Sequence, residues 1–222
     1  MNMHLKKNTV IFDMDGVIVD SMKYHAIAWI SVLKKYGLNL TEIDIFKREG
    51  MTGLSSIKDI FIEKQVDMPD EDEFTQIVLE KNRIFKTYSI NLYPLMEKII
   101  SELKKSNITI GLVTGSPRIA LNHILSSDFI TFFDTIITGD DVNKGKPDPE
   151  PYLKAIKNLR VAKEDVIVVE NAPMGILSAK RAGLYCIAIQ TTLPDEYLTD
   201  SDKIIHTHNE LFEILPGLSM YS

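Results

Sequence analysis

Four short segments hold residues able to do chemistry on a charged ester. In Asp13-Met14-Asp15-Gly16-Val17 two aspartates sit two positions apart behind an apolar run at 10–12, and the glycine permits a tight turn. A carboxylate there can act as a nucleophile, and a second carboxyl can pass a proton. Thr114-Gly115-Ser116 closes another apolar run and precedes a helical pattern. Backbone N–H groups and a hydroxyl at such a helix start suit an oxyanion or phosphate. Lys146-Pro147-Asp148-Pro149-Glu150 places a point charge in a turn stiffened by two prolines. Glu170-Asn171 follows the run at 166–169, with Gly175 beyond it. Carboxylate and amide oxygens are hard donors suited to Mg2+. Singly, each segment has an ordinary structural reading: a polar strand end, a helix cap, a surface lysine, a capping loop before Pro173. Together, at four carboxyl ends of one sheet, they supply the parts of phosphoryl transfer through an aspartyl-phosphate.

The elements that must position these segments follow from periodicity. Continuous apolar runs at 10–12, 108–113, 135–138, 166–169 and 184–189, with a short sixth at 204–205, predict buried parallel strands. Helical patterns lie between them, at 97–105, from Ser116 (N-cap) and Pro117 (N1) to 125, from 148 to 159, and at 173–182 before Gly183. Strands separated by helices imply right-handed crossovers and an α/β fold, a Rossmann-like parallel sheet. Residues 19–92 break the alternation. Met22, Ala26, Ile30 and Leu33 share a helix face, and 41–48, 55–64 and 71–88 also read as helical. The expected organisation is a core of 1–18 and 93–222 with an inserted helical cap domain, 19–92, over the edge where open α/β sheets bind ligands.

Composition narrows the setting. The 222 residues are 45% hydrophobic and 25% charged, an ordinary globular balance rather than a disordered or fibrous one. With 25 basic and 31 acidic residues the net charge is −6, which offers no global attraction to nucleic acid or an anionic membrane. No run approaches the roughly 18 apolar residues of a membrane helix, and the N-terminal apolar run ends at Asp13, too early for a signal peptide. Cys186 is the only cysteine, so no intrachain disulfide forms and a cytoplasmic location is expected. Oligomeric state is not encoded legibly; a monomer is compatible with everything above.

The four segments, in this order and spacing, resemble those of the haloacid dehalogenase superfamily of phosphohydrolases, over nearly the whole chain. The nearest likeness is to the β-phosphoglucomutase-like and sugar-phosphatase branch, through Asp20-Ser21-Met22-Lys23-Tyr24-His25-Ala26-Ile27-Ala28-Trp29 and Gly139-Asp140-Asp141-Val142. The resemblance implies Asp13 as nucleophile and Asp15 as general acid, then base, a role favoured by a raised pKa. It implies Thr114 and Lys146 on the transferring phosphoryl oxygens, beside Gly115 and Ser116. Mg2+ would bind the Asp13 carboxylate, the Asp15 carbonyl and the corner of Glu170 and Asn171. Asp15 argues against the dehalogenases themselves, which lack an acid there. Asn171 stands where the family often has aspartate, which removes one negative charge.

In the cap, His25 and Lys81 match residues of the mutases, although Lys81 sits in a charged helix where solvation is an equal reading. The loop from Gly50 through Gly53 to Ser56 resembles the substrate-facing loop, with Ser56 nearest the arginine by which mutases grip a second phosphate. Arg118 either reaches substrate or sits exposed in a first helical turn. His206 and His208 lack partners for a metal site, and 70–73 is the acidic first turn of a helix. The expected activity is Mg2+-dependent hydrolysis of a small phosphorylated metabolite, a sugar or polyol phosphate. A β-phosphoglucomutase-type isomerase is the alternative, followed by a non-catalytic phosphosugar-binding protein.

Overall fold

The computed structural model describes residues 7–215. The ends of the expected core, 1–6 and 216–222, lie outside them. Six strands form one wholly parallel sheet: β1 (Thr9–Phe12), β2 (Thr109–Val113), β3 (Thr135–Ile137), β4 (Val166–Glu170), β5 (Tyr185–Ile189) and β6 (Lys203–Ile205), in the order β3-β2-β1-β4-β5-β6. The strands are continuously apolar because both faces are covered. Val10 and Phe12 enter one apolar cluster, with Ile99, Leu103, Leu121 and Leu211, while Ile11 enters the other, with Tyr152, Ile156 and Ile176. A side chain alternating between two buried faces leaves no polar position in the run.

Between β1 and β2 lie α1 (Met22–Leu33), α2 (Glu42–Phe46), α3 (Gly53–Glu63), α4 (Glu71–Phe85) and α5 (Met96–Lys105). The first four bury a cluster of their own, built on Met22, Trp29, Leu33, Ile57, Phe61, Phe74 and Ile77. The two chain segments joining these helices to the sheet bond to each other, Asp20 N–H to the Asn91 carbonyl and Tyr93 N–H to that of Ile18, both at 2.9 Å. Capping fixes the helix starts: Thr41 with Asp44, and Asp70 with Glu73, form reciprocal capping boxes.

The core continues with α6 (Arg118–Ile124), α7 (Ser127–Ile130), α8 (Glu150–Leu159), α9 (Pro173–Arg181) and α10 (His208–Ile214). Pro173 opens α9 and Gly183, at φ +79°, follows its end. One start differs from expectation. Pro117 occupies the N-cap of α6, and the Ser116 hydroxyl does not cap it, because that hydroxyl is committed to Asp15.

Candidate active site

The carboxyl ends of the central strands bring the four segments together. Asp13 follows β1 directly, its N–H bonded to the Val169 carbonyl on β4, and Thr114 follows β2, its N–H on the Ile137 carbonyl of β3. Glu170 is the last residue of β4. Lys146 reaches in from the segment before α8 and is buried. Its Nζ donates to Asp13 Oδ1 and Glu170 Oε1, each at 2.6 Å, and to the Val113 carbonyl at 3.2 Å. Glu170 is pinned further: Tyr152 donates its hydroxyl to Oε1 at 2.7 Å and the Asn171 N–H reaches Oε2 at 3.0 Å.

One buried ammonium serves two buried carboxyl groups. Burial pulls the Lys146 ammonium down, but Asp13 and Glu170 outweigh it and hold Lys146 well above the usual lysine range. Asp13 carries the imbalance. Burial pushes its carboxyl up to about 8, Lys146 opposes, and Glu170 and Asp15 add to the rise. Its Oδ2 is buried without any hydrogen-bond partner, and so is Oδ1 of Asn171. Two orphaned hard oxygens beside carboxyl groups that share one ammonium are what a divalent cation satisfies. Asn171 Nδ2 approaches Thr192 Oγ1 at 3.5 Å, which leaves the amide oxygen as the atom to be satisfied. Gly16, at φ +87°, is required here: a Cβ on it would lie 2.0 Å from Asn171 Nδ2.

Asp15 is a different kind of carboxylate. It accepts from Ser21 Oγ at 2.6 Å, Ser116 Oγ at 3.0 Å and Thr114 Oγ1 at 3.4 Å, and His25 Nε2 lies 3.1 Å away. Burial raises its carboxyl, but His25 and these hydroxyls win and hold it down at about 2. The raised pKa expected of an acid at this position is therefore absent in this state, because the carboxylate is fully solvated by protein donors. Behind it, Lys81 Nζ lies 2.9 Å from His25 Nδ1. Burial and the Lys81 ammonium lower the His25 imidazole; an ammonium can only donate and a carboxylate can only accept, so the ring's contacts fit Nδ1 accepting from Lys81 and Nε2 donating to Asp15. Lys81 is buried rather than solvated, with its ammonium 4.7 Å from the Phe85 ring and 5.2 Å from that of Trp29, and burial lowers it to about 8.

A cavity of about 220 Å³ lies between the sheet edge and the inserted helices. His25, Gly53, Ser56, Lys81, Gly115 and Ser116 all line it. The wall is tight where the two parts meet: a Cβ on Gly115 would lie 2.5 Å from the Gly50 carbonyl oxygen and 2.7 Å from that of Met51. Arg118 does not join this group. Its guanidinium is bound to the Ile136 carbonyl and to Asp141, where it ties α6 to the loop after β3. Among the residues that sequence reasoning missed are Ser21 and Tyr152, which hold Asp15 and Glu170, and Arg48 and Glu49 in the cavity wall. Oxygens of Asp15 and Glu49 and a nitrogen of His25 also lie within 4.8 Å of one another. That trio is a poor metal site, because both imidazole nitrogens are already engaged.

Residues 10–189 match the family of haloacid dehalogenase-like hydrolases. The chain belongs to that family. Among its relatives, the phosphorylated carbohydrates phosphatase of Thermotoga maritima is 33% identical over 185 residues, 79% of this chain and 81% of that protein. Hexitol phosphatase A of Escherichia coli is 29% identical over 90% of this chain and 91% of its own length. The crystal structure of β-phosphoglucomutase from Clostridium difficile superposes with a TM-score of 0.81 at 26% identity, covering 96% of this hydrolase and 97% of that chain. Among the described residues of the hydrolase, no helix is long and apolar enough to cross a membrane.

Proposed function

We propose that the protein is a Mg2+-dependent phosphomonoesterase that hydrolyses a small sugar or polyol phosphate through an aspartyl-phosphate on Asp13. The observation that carries this reading is the Asp13 carboxylate, with one oxygen fixed on Lys146 and the other buried and bare. Asp13 Oδ2, Asn171 Oδ1 and the Asp15 carbonyl would hold the ion, with Glu170 behind them. Bound there, Mg2+ supplies positive charge that keeps Asp13 ionised and screens it from an anionic substrate. Asp13 attacks phosphorus, the bond to the leaving oxygen breaks, and Asp15 gives that oxygen a proton. Water then attacks the phosphoryl group, Asp15 takes its proton, and inorganic phosphate leaves with Asp13 restored. Lys146, the Thr114 hydroxyl and the N–H groups of 115 and 116 hold the phosphoryl oxygens as charge shifts onto them. Asp15 starts ionised, so it must first take a proton, from solvent or from a substrate monoanion, as the bound phosphate displaces its hydroxyl donors and pushes its carboxyl up. His25 and Lys81 hold Asp15 in place. The helices of 19–92 act as a cap domain that closes the cavity over the leaving group.

The substrate class is supported by the relatives named for carbohydrate and hexitol phosphates. Hydrolysis is favoured over isomerisation by the cavity's cations. A mutase must hold a second phosphate, which an arginine fork does best. Arg48 lines the cavity, yet its Nε is on Asp59 at 2.7 Å, its Nη1 on the Asp44 carbonyl at 2.7 Å and its Nη2 on Glu63. Ser56 carries no charge. Phosphate release from p-nitrophenyl phosphate with Mg2+ tests the activity. Incubation with β-glucose 1-phosphate and a trace of glucose 1,6-bisphosphate tests the outcome: inorganic phosphate should form faster than glucose 6-phosphate. The reverse order would make the protein a mutase.

A further inference from the structure

Glu49 and Asp140 are carboxyl groups of the cavity wall outside the proposed ion site, and Glu49 is the one that stands against Asp15. It stands at the sheet end of the wall, with an oxygen within 4.8 Å of the Asp15 carboxylate and a His25 nitrogen. The Glu49 carboxyl has a backbone partner in Gly50, and Asp140, the other carboxylate of the wall, takes the Arg118 N–H at 2.7 Å; among the described residues no side chain hydrogen-bonds to Glu49. Burial, with Asp15 and Asp13 nearby, raises the Glu49 carboxyl well above its usual range, and Lys81 opposes. The same wall carries neutral hydrogen-bonding groups, Thr52, Ser56, Asn82 and Ser116, and Trp29.

Resting on the phosphomonoesterase reading, we propose that Glu49 is a specificity-determining residue that binds a hydroxyl of the leaving group, on a carbon close to the phosphoester. The geometry gives the position. Asp15 must reach the leaving oxygen, so a group within 4.8 Å of Asp15 faces the first carbons beyond that oxygen. The chemistry gives the partner. A hydroxyl both donates and accepts, so it satisfies a carboxyl in either protonation state. An alkyl chain would shield the carboxyl from water and leave it only the Gly50 backbone as partner, which a site built to bind hydroxyls penalises.

The test compares pairs that differ only in hydroxyls: glycerol 3-phosphate against n-propyl phosphate, and sorbitol 6-phosphate against n-hexyl phosphate. The ratio of kcat/KM within a pair is read in one protein sample, so partial unfolding cancels. The native protein should favour the hydroxylated member of at least one pair by about tenfold or more. Glu49→Ala should bring that ratio to within about threefold of unity, through loss on the hydroxylated member. Glu49→Gln should restore most of it, because an amide also donates and accepts. A native ratio near unity in both pairs, or a ratio that Glu49→Ala leaves unchanged, overturns the proposal while p-nitrophenyl phosphate turnover upholds the phosphatase. No phosphate from any of these esters would overturn both.

Discussion

Gly175→Ala sets two effects of opposite sign against each other. Gly175 lies in the first turn of α9, where alanine is the better helix former by up to about 1 kcal/mol. Propensity alone predicts a more stable protein. Packing predicts the reverse, because the new Cβ would sit 1.9 Å from Oε1, 2.1 Å from Cδ and 2.3 Å from Oε2 of Glu170. A side-chain end that could swing aside would make this cheap. Glu170 cannot swing, since Lys146, Tyr152 and the Asn171 N–H hold it at 2.6, 2.7 and 3.0 Å. Retreat by about 1 Å would stretch these bonds beyond hydrogen-bond reach.

Weakening two buried bonds to a charged acceptor costs about 3 kcal/mol in all, which exceeds the propensity gain and leaves a net loss of about 2 kcal/mol. For a chain of this size that is a fall of about 4–8 °C in melting temperature. Lys146 would move with Glu170 and drag Asp13 from its line of attack, so kcat/KM should fall by about tenfold or more. Thermal melts and Mg2+-dependent phosphate release on the same preparations measure both. A variant that melts at or above the native temperature with activity within about twofold would refute the reasoning, because Glu170 would then be free to yield.

Asp13→Asn should retain the native melting curve and keep less than about 1% of phosphatase activity, since an amide is a very poor nucleophile at phosphorus; activity above that level would remove Asp13 from its role. Asn171→Asp should lower the Mg2+ midpoint, by adding a charged oxygen beside the bare Asp13 Oδ2, and a Mg2+ titration with an unchanged or higher midpoint would place Asn171 outside the coordination sphere. Lys146→Met should cost about 3–5 kcal/mol of stability in chelator-treated protein, because it removes the buried donor that holds both Asp13 and Glu170; an unchanged melting temperature would mean that the ammonium does not hold this cluster together.

The fold was legible because its signals are local. An apolar run with no polar position marks a strand covered on both faces, and Val10, Ile11 and Phe12 divide between two clusters as that reading requires. Helix starts were legible where the cap is made within one turn, as at Thr41 and Asp70. The start at Ser116 was misplaced by one residue for the same reason inverted: its hydroxyl bonds Asp15, 101 positions away, and no window of sequence contains that competitor.

The site divides along the same line. Carboxylates, lysine and hydroxyl at strand ends could be found by type and order, since each strand end delivers its residue to one edge. What they do to one another could not. Asp13 and Lys146 meet across 133 positions and His25 and Lys81 across 56, and those contacts set which carboxyl is strained and which is satisfied. A raised pKa would have favoured Asp15 as an acid; instead Asp15 is held low and Asp13 high. The difference follows from donor supply: Asp15 has three hydroxyls and an imidazole around it, whereas Asp13 shares a single ammonium with Glu170. Under the proposed reading, a cation at Asp13 would lower it and a phosphate dianion at Asp15 would raise it, so that the two ligands together would set the carboxyls for reaction.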